Sequence, residues 1–207
     1  MERNTVFKFK RWHTINIVIV MFFAITGCFS RHVVSITPQP ISKATHKMPY
    51  SVFIEFDEVK DEDIQGWKIK LDTENLRYSF GKFIEERGTF SKVETSRNNN
   101  QANFTLNAHL KLFVRYGFKE FNCLATVGTQ LLDYTGKILG VYQQSAIANV
   151  TYNNVMTNVN KSNKDWFDMY VYQTNVAINT AYEKICKQME QDYAQGKIVP
   201  SIEPITK

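Results

Sequence analysis

The sequence predicts a two-layer α+β sandwich: two helices packed on one face of a four- to five-stranded, mostly antiparallel sheet. Three observations carry this. Phe104 to Tyr116 alternates apolar and polar-side residues over its whole length, the period of a strand with one buried face. Segments near 72–88 and 165–189 instead space their apolar residues three and four apart, as one face of a helix requires. Tyr134-Thr135-Gly136-Lys137 links two strand-like runs as a hairpin turn.

Each element follows in order. Residues 28–49 hold Pro38, Pro40 and Pro49 among scattered polar residues without periodicity, and read as an extended, poorly ordered tether. A single α+β domain then spans 50–195. It opens with a half-buried strand, Tyr50 to Phe56, with Tyr50, Val52, Ile54 and Phe56 on one side and Ser51, Phe53 and Glu55 on the other. Asp57 to Asp63 is acidic and matches no calcium-loop spacing, so it reads as a solvated loop. Asp72 or Thr73 caps a helix whose Leu76, Phe80, Phe83 and Ile84 form one stripe, and Gly88 supplies a left-handed end. Phe90 to Thr95 is a short strand, and Asn98 to Gln101 a polar loop. The long strand at 104–116 comes next, then Phe121, Cys123, Ala125, Val127 and Leu131 in a second, and Ile138 to about Val150 in a third. These three form an antiparallel meander with one core face and one polar face. A polar, Asn-rich loop leads to Asp165, which caps a last helix with Phe167, Val171, Thr174, Ile178, Tyr182, Ile185 and Met189 on its stripe. Gly196 and Pro200 end it, and 196–207 reads as a disordered tail.

Ahead of the domain, residues 1–27 read as a secretory signal. Arg3, Lys8, Lys10 and Arg11 stand against Glu2, and an apolar run from Ile15 to Ile25 is broken only by Asn16. That run is about half the roughly 20 residues a membrane span needs. Ile25-Thr26-Gly27-Cys28 resembles the lipobox of bacterial lipoproteins, in which the cysteine is acylated and becomes the new N-terminus. The resemblance implies that Cys28 carries a diacylglyceryl group and an amide-linked third chain, enough for stable anchoring. Phe29 follows it rather than the aspartate that retains such proteins at the inner membrane, which implies the periplasmic face of the outer membrane. The formal charge of the full chain is +5, of which the leader holds +3, leaving +2 on the mature chain. The basic balance is therefore largely a targeting feature and gives no case for a nucleic-acid partner.

Of three cysteines, Cys28 is committed to lipid. A disulfide between Cys123 and Cys186 suits the oxidising compartment, and two buried free thiols suit the sequence equally. Chemistry is sparse. His13 lies in the leader and His32 and His46 in the tether, so His109 is the one histidine within the fold. No metal ligands fall at ligand spacing, and there is no phosphate-binding glycine loop, dinucleotide fingerprint or nucleophile elbow. The expectation is a non-enzymatic domain without a metal or cofactor. Aromatic residues are the better candidates for function. Trp166 and Tyr172 fall off the stripe of the last helix, and Phe53 and Phe113 stand on nominally polar strand faces, together suggesting a partner surface.

The helix exit Phe83-Ile84-Glu85-Glu86-Arg87-Gly88-Thr89-Phe90-Ser91-Lys92-Val93, the strand Ala102-Asn103-Phe104-Thr105-Leu106-Asn107-Ala108-His109-Leu110 and the hairpin Leu131-Leu132-Asp133-Tyr134-Thr135-Gly136-Lys137-Ile138-Leu139 resemble a broad group of envelope lipoproteins. The group comprises ABC-type transport auxiliary lipoproteins, penicillin-binding-protein activators and, by architecture, the lipopolysaccharide-assembly lipoprotein, and the likeness covers about 50–190. It implies a membrane-tethered accessory subunit that docks onto an envelope protein partner. The alternative is a lipid- or glycan-binding domain; a periplasmic enzyme would need His109 in a deep pocket beside carboxylates. The leader reading predicts that Cys28→Ala abolishes signal processing and membrane attachment, scored by fractionation; a variant that is still processed and membrane-bound refutes it.

Overall fold

The computed structural model describes residues 32–65, 69–94, 102–116, 120–151 and 163–199. Its elements are β1 (His32–Val34), β2 (Met48–Phe56), a 3-10 turn (Asp61–Asp63), β3 (Ile64–Gln65), β4 (Ile69–Leu71), α1 (Thr73–Arg87), β5 (Phe90–Glu94), β6 (Phe104–Tyr116), β7 (Glu120–Asp133), β8 (Ile138–Thr151) and α2 (Asn163–Ala194). The main sheet runs β5-β2-β6-β7-β8, with β3 beside β6; β1 and β4 pair separately. α1 packs on β2 and β5, α2 on β7 and β8, and the helices meet each other. This is the predicted two-layer sandwich. The β6-β7-β8 meander is antiparallel, whereas β2 lies parallel to both β5 and β6.

The periodicities translate directly into burial. Val52, Ile54 and Phe56 of β2 and the even-numbered residues 104–114 of β6 are buried, while their neighbours face the other side. Asp72 caps α1 by accepting from the Asn75 N–H at 3.1 Å, and Gly88 closes it at φ 81°, donating to the Ile84 and Glu85 carbonyls. Leu76, Phe80, Phe83 and Ile84 are fully buried, and burial of such side chains contributes ~1.5–3 kcal/mol each. Phe80 stacks on Tyr182 of α2 at 4.2 Å between ring centroids.

Of the two readings of the remaining cysteine pair, the structure carries the buried free thiols and not the bridge. Cys123 and Cys186 are both free and buried. The Cys123 thiol lies 3.9 Å from the Thr174 hydroxyl. Cys186 sits twelve residues further along α2, about 18 Å away at 1.5 Å per residue, far beyond the ~7 Å Cα separation a disulfide tolerates. Burial pushes the Cys123 thiol up to about 11 and the Cys186 thiol up to about 12.

The structure differs from expectation in the segment read as a poorly ordered tether. The compact body begins at Val33. From Ser35 to Thr45 the chain is a strap laid along α2. Asn175 accepts from the Thr37 N–H (2.6 Å) and donates to the Ser35 carbonyl (3.4 Å), and Asn179 does the same for the Gln39 N–H and Thr37 carbonyl, both at 2.9 Å. Glu183 accepts from the Ile41 N–H, and Glu190 from the Thr45 N–H. The match is geometric: two extended residues advance ~6.6 Å and four helical residues ~6.0 Å, so alternate strap residues meet every fourth residue of α2. Pro38 and Pro40 fall at the alternate positions, where no N–H is needed, and hold the chain extended. At the other end, Ile198 is buried within the segment expected to be a tail.

The strap is locked by Arg87, whose side chain is fully buried. Its Nε and Nη2 donate to the two oxygens of Glu190, each at 3.0 Å, and its Nη1 donates to Glu183 and to the Ser42 carbonyl at 2.8 Å. Thr89 donates to Glu190, and Lys187 pairs with Glu183 at 3.3 Å. Burial on its own would raise the Glu183 carboxyl, but the Ser42 hydroxyl, Arg87 and Lys187 outweigh it and hold it below its ordinary 4.5. Its contribution is therefore complete above that value and lost as pH falls through the lower folded-state value. Arg87→Met leaves buried Glu190 without its counter-ion and Glu183 with Lys187 alone, and is expected to cost about 3–5 kcal/mol in urea unfolding. A loss under about 1 kcal/mol shows that the cluster does not hold the strap.

Candidate interaction surface

Both helices and the strap lie on one layer, and among the described residues no helix covers the opposite sheet face. Its residues are the odd-numbered ones of β2 and β6 and their registered partners. Near one end, Phe113, Leu124 and Ile147 line up across β6, β7 and β8, with Gln65 of β3 beside Phe113. Phe113 is 45% and Ile147 64% exposed. Towards the other end, Phe53, Thr105, Leu132 and Ile138 form a second row across β2, β6, β7 and β8. Between the rows the face is polar except for exposed Val141 of β8, and His109 lies at its middle. Its imidazole lies on Gly128 of β7, where a Cβ would come within 2.1 Å of the ring. A glycine inside a strand here makes room for a neighbouring ring.

The four aromatic candidates do not converge on one patch. Phe53 and Phe113 share the open face, but Phe53 pairs with Thr105, eight residues along β6 from Phe113, a separation of about 27 Å at strand spacing. The strap covers neither, since it lies on the helical layer. Tyr172 is 60% exposed and belongs to α2, on the other layer. Trp166 falls in the first turn of α2, with its side chain outside the described residues, as is Cys28.

β8 adds what aromatic spacing did not reveal. Among the described residues it is an edge strand of 14 residues, ILGVYQQSAIANVT, without a charge or a proline. Natural edge strands are usually blunted by such residues because their unpaired main-chain groups invite another strand. Here Lys184 of α2 donates to the Ser145 carbonyl at 2.7 Å, and Val141 and Ile147 remain exposed. Tyr142 points inward over Gly140, and burial, with Asp192 nearby, raises its hydroxyl well above the ordinary tyrosine range.

Two concavities bear on the alternative readings. His109 does border acidic groups, in an open depression of about 510 Å³ lined by Asp57, Glu58, Asp63 and Lys111 among others. His109 is exposed there rather than buried, and among the described residues no group of three or more His, Cys, Asp or Glu could hold a metal ion. A groove between α1 and β5, lined by Ile54, Tyr78, Gly81 and Val93, encloses about 110 Å³. The His109–Gly128 contact predicts that Gly128→Ala displaces the imidazole and changes its Cε1–H NMR shift, while stability moves by under about 1 kcal/mol; an unaltered shift rules the contact out.

No protein-family model matches the chain, and no curated protein matches it in sequence. Solved structures do match. Protein XCC0632 from Xanthomonas campestris, of family DUF330, superposes with a TM-score of 0.54 at 8% identity, over 80% of this chain and 98% of that one. A minor lipoprotein from Acinetobacter baumannii matches at TM-score 0.39 and 13% identity over 76% and 99% of the two chains, and lipoprotein GNA1162 from Neisseria meningitidis at 0.33 and 14% over 60% and 94%. At these identities the likeness is one of fold, and the Xanthomonas protein is the one of these three that shares it closely enough to show it.

Proposed function

We propose that this chain is a lipid-anchored periplasmic subunit of an envelope transport or assembly complex, held at the outer membrane by acylated Cys28 and acting by protein binding. The leader and its Ile25-Thr26-Gly27-Cys28 ending support the address. The observation that carries the binding role is β8, a long edge strand free of charge and proline, beside an open sheet face with exposed Val141 and Ile147. Such an edge offers main-chain hydrogen bonds to a partner strand and apolar contacts for its side chains. Anchoring confines the domain near the membrane and raises its effective concentration towards membrane-bound partners. The second reading, a lipid- or glycan-binding domain, is less favoured: the groove of about 110 Å³, lined by Arg77, Lys82, Glu85 and Glu94 as well as apolar residues, is smaller than the ~300 Å³ at which ligand pockets begin, and the larger depression of about 510 Å³ is open and lined mostly by charged groups.

Crosslinking of the native, membrane-attached protein followed by mass spectrometry tests this reading. A stoichiometric envelope protein is expected, and it is expected to vanish in Val141→Lys, which charges the edge at an exposed position and changes stability by about 0.5 kcal/mol or less. Recovery of lipid without any protein partner supports the second reading instead.

A further inference from the structure

We infer that the strand accepted by β8 carries an acidic side chain on the helix-layer side, beside Lys184, and that the same lysine keeps β8 from pairing with β8 of a second copy. This rests on the reading of β8 as a strand-accepting edge and names the chemistry of its partner. The main-chain groups on offer follow from the ladder. The Asp57 N–H, directly after β2, donates to the Ala108 carbonyl at 2.8 Å, so the even-numbered residues of β6 turn their main-chain groups to β2 and the odd-numbered ones to β7. His109 of β6 is registered with Gly128 of β7, so the odd-numbered residues of β7 turn to β8. Val127 is registered with Gln144, so the even-numbered residues of β8 turn back to β7. Val141, Gln143, Ser145, Ile147 and Asn149 are left with N–H and C=O directed at the free edge, and their side chains are exposed on the open face.

One of these outward groups is already engaged. Exposed Lys184 of α2 reaches the Ser145 carbonyl at 2.7 Å, and among the described residues it meets no carboxylate. The polar groups near it on the helix have other partners: Gln188 accepts from Gln144 at 2.7 Å, Asp192 pairs with Lys197 at 2.9 Å, and Glu183 with Arg87 and Lys187. β8 carries no charge, nor do the even-numbered residues 122–130 of β7 beside it on the open face. Among the described residues, Lys184 is therefore the charge that an incoming strand meets. An N–H of that strand takes the Ser145 carbonyl and displaces the ammonium, which stays on the helix layer. Strand residues directly opposite Val141, Gln143, Ser145 and Ile147 point to the open face, and those between them to the helix layer. The strand that fits is apolar or uncharged opposite Val141 and Ile147, with Asp or Glu at the intervening position beside Lys184. A second β8 supplies no such acid. In the two antiparallel registers that pair it almost throughout, centred on Gln144 or Ser145, the two copies of Ser145 lie at most two residues, about 7 Å, apart along the ladder. Both Lys184 ammoniums then crowd one stretch, and like charges disfavour the wrong partner. A lysine lent by the helix thus does what a charge within an edge strand usually does.

The test uses the full-length protein in detergent micelles and two extended peptides, Val-Thr-Val-Glu-Val-Thr-Val and the same peptide with Lys in place of Glu. Amide hydrogen exchange locates each peptide, because a strand on the edge protects the outward N–H groups of Gln143, Ser145 and Ile147; fluorescence anisotropy measures its affinity. The acidic peptide is expected to protect these groups and to bind about three- to tenfold tighter than the basic one at low ionic strength. The preference is expected to reverse in Lys184→Glu, a change at an exposed position that leaves the fold intact. Protection by both peptides at equal affinity, in wild type and variant alike, overturns the acidic requirement and leaves the strand-accepting edge standing. Protection of the same groups without peptide, rising with protein concentration, assigns the edge to a second copy and overturns the inference. No protection with either peptide removes β8 as a strand acceptor, and the inference with it.

Discussion

The Arg87 cluster is the constraint on which the remaining architecture depends. Arg87 belongs to the last turn of α1, Glu183 and Glu190 to α2, Ser42 to the strap, and Thr89 to the link into β5. One guanidinium therefore joins four separate parts of the chain at a point without solvent. Its position at a helix C-terminus is favourable, since cations are stabilised there. Its planar fork suits a bidentate carboxylate in a way a lysine would not. Two acids facing one arginine leave a surplus negative charge, which Lys187 offsets from the exposed side. Apolar packing of Phe80 and Phe83 against Tyr182 brings the helices together; the polar cluster sets where the strap crosses them.

The consequence is a domain with two unlike faces. Among the described residues the covering elements α1, α2 and the strap all lie on one layer. An antiparallel meander tolerates this because alternate residues can be polar. Here the alternation is incomplete. Phe53, Phe113, Leu124, Leu132 and Ile147 interrupt it in two rows, and the adjoining edge strand lacks the usual charged or proline guards. Lys184 on Ser145 is the partial guard that remains. His109 borders acidic groups but is exposed, and the two thiols are buried and separated.

The strap is held by the helix rather than free: a flexible tether would permit a wide search and any orientation, whereas Ser35 to Thr45 is fixed on α2. The recognition is built from side-chain amides that each present one donor and one acceptor, as a neighbouring strand would, so the helix binds the strap through its backbone.

The sequence by itself determined the elements whose cause is local. Unbroken alternation produced β6, three- and four-residue spacing with Asp72 and Gly88 produced α1, and Tyr134-Thr135-Gly136-Lys137 produced the hairpin, so the sandwich was legible. β1, β3 and β4 were not, since two or three residues carry no period: β3 exists where long β6 supplies the hydrogen bonds, and β1 and β4 exist because packing brings them together. The parallel placement of β2 between β5 and β6 was also decided in three dimensions. The strap was misread because α2 grips its main chain and leaves its side chains unspecified; the trace lay instead in Asn175, Asn179 and Glu183, polar residues four apart on a helix that has little other reason to align them. The candidate surface divides likewise. Phe53 and Phe113 stood out as apolar residues on polar faces, while their 27 Å separation, the unguarded edge of β8 and the distance between the two thiols arose only from pairing and packing, which join residues far apart in the chain.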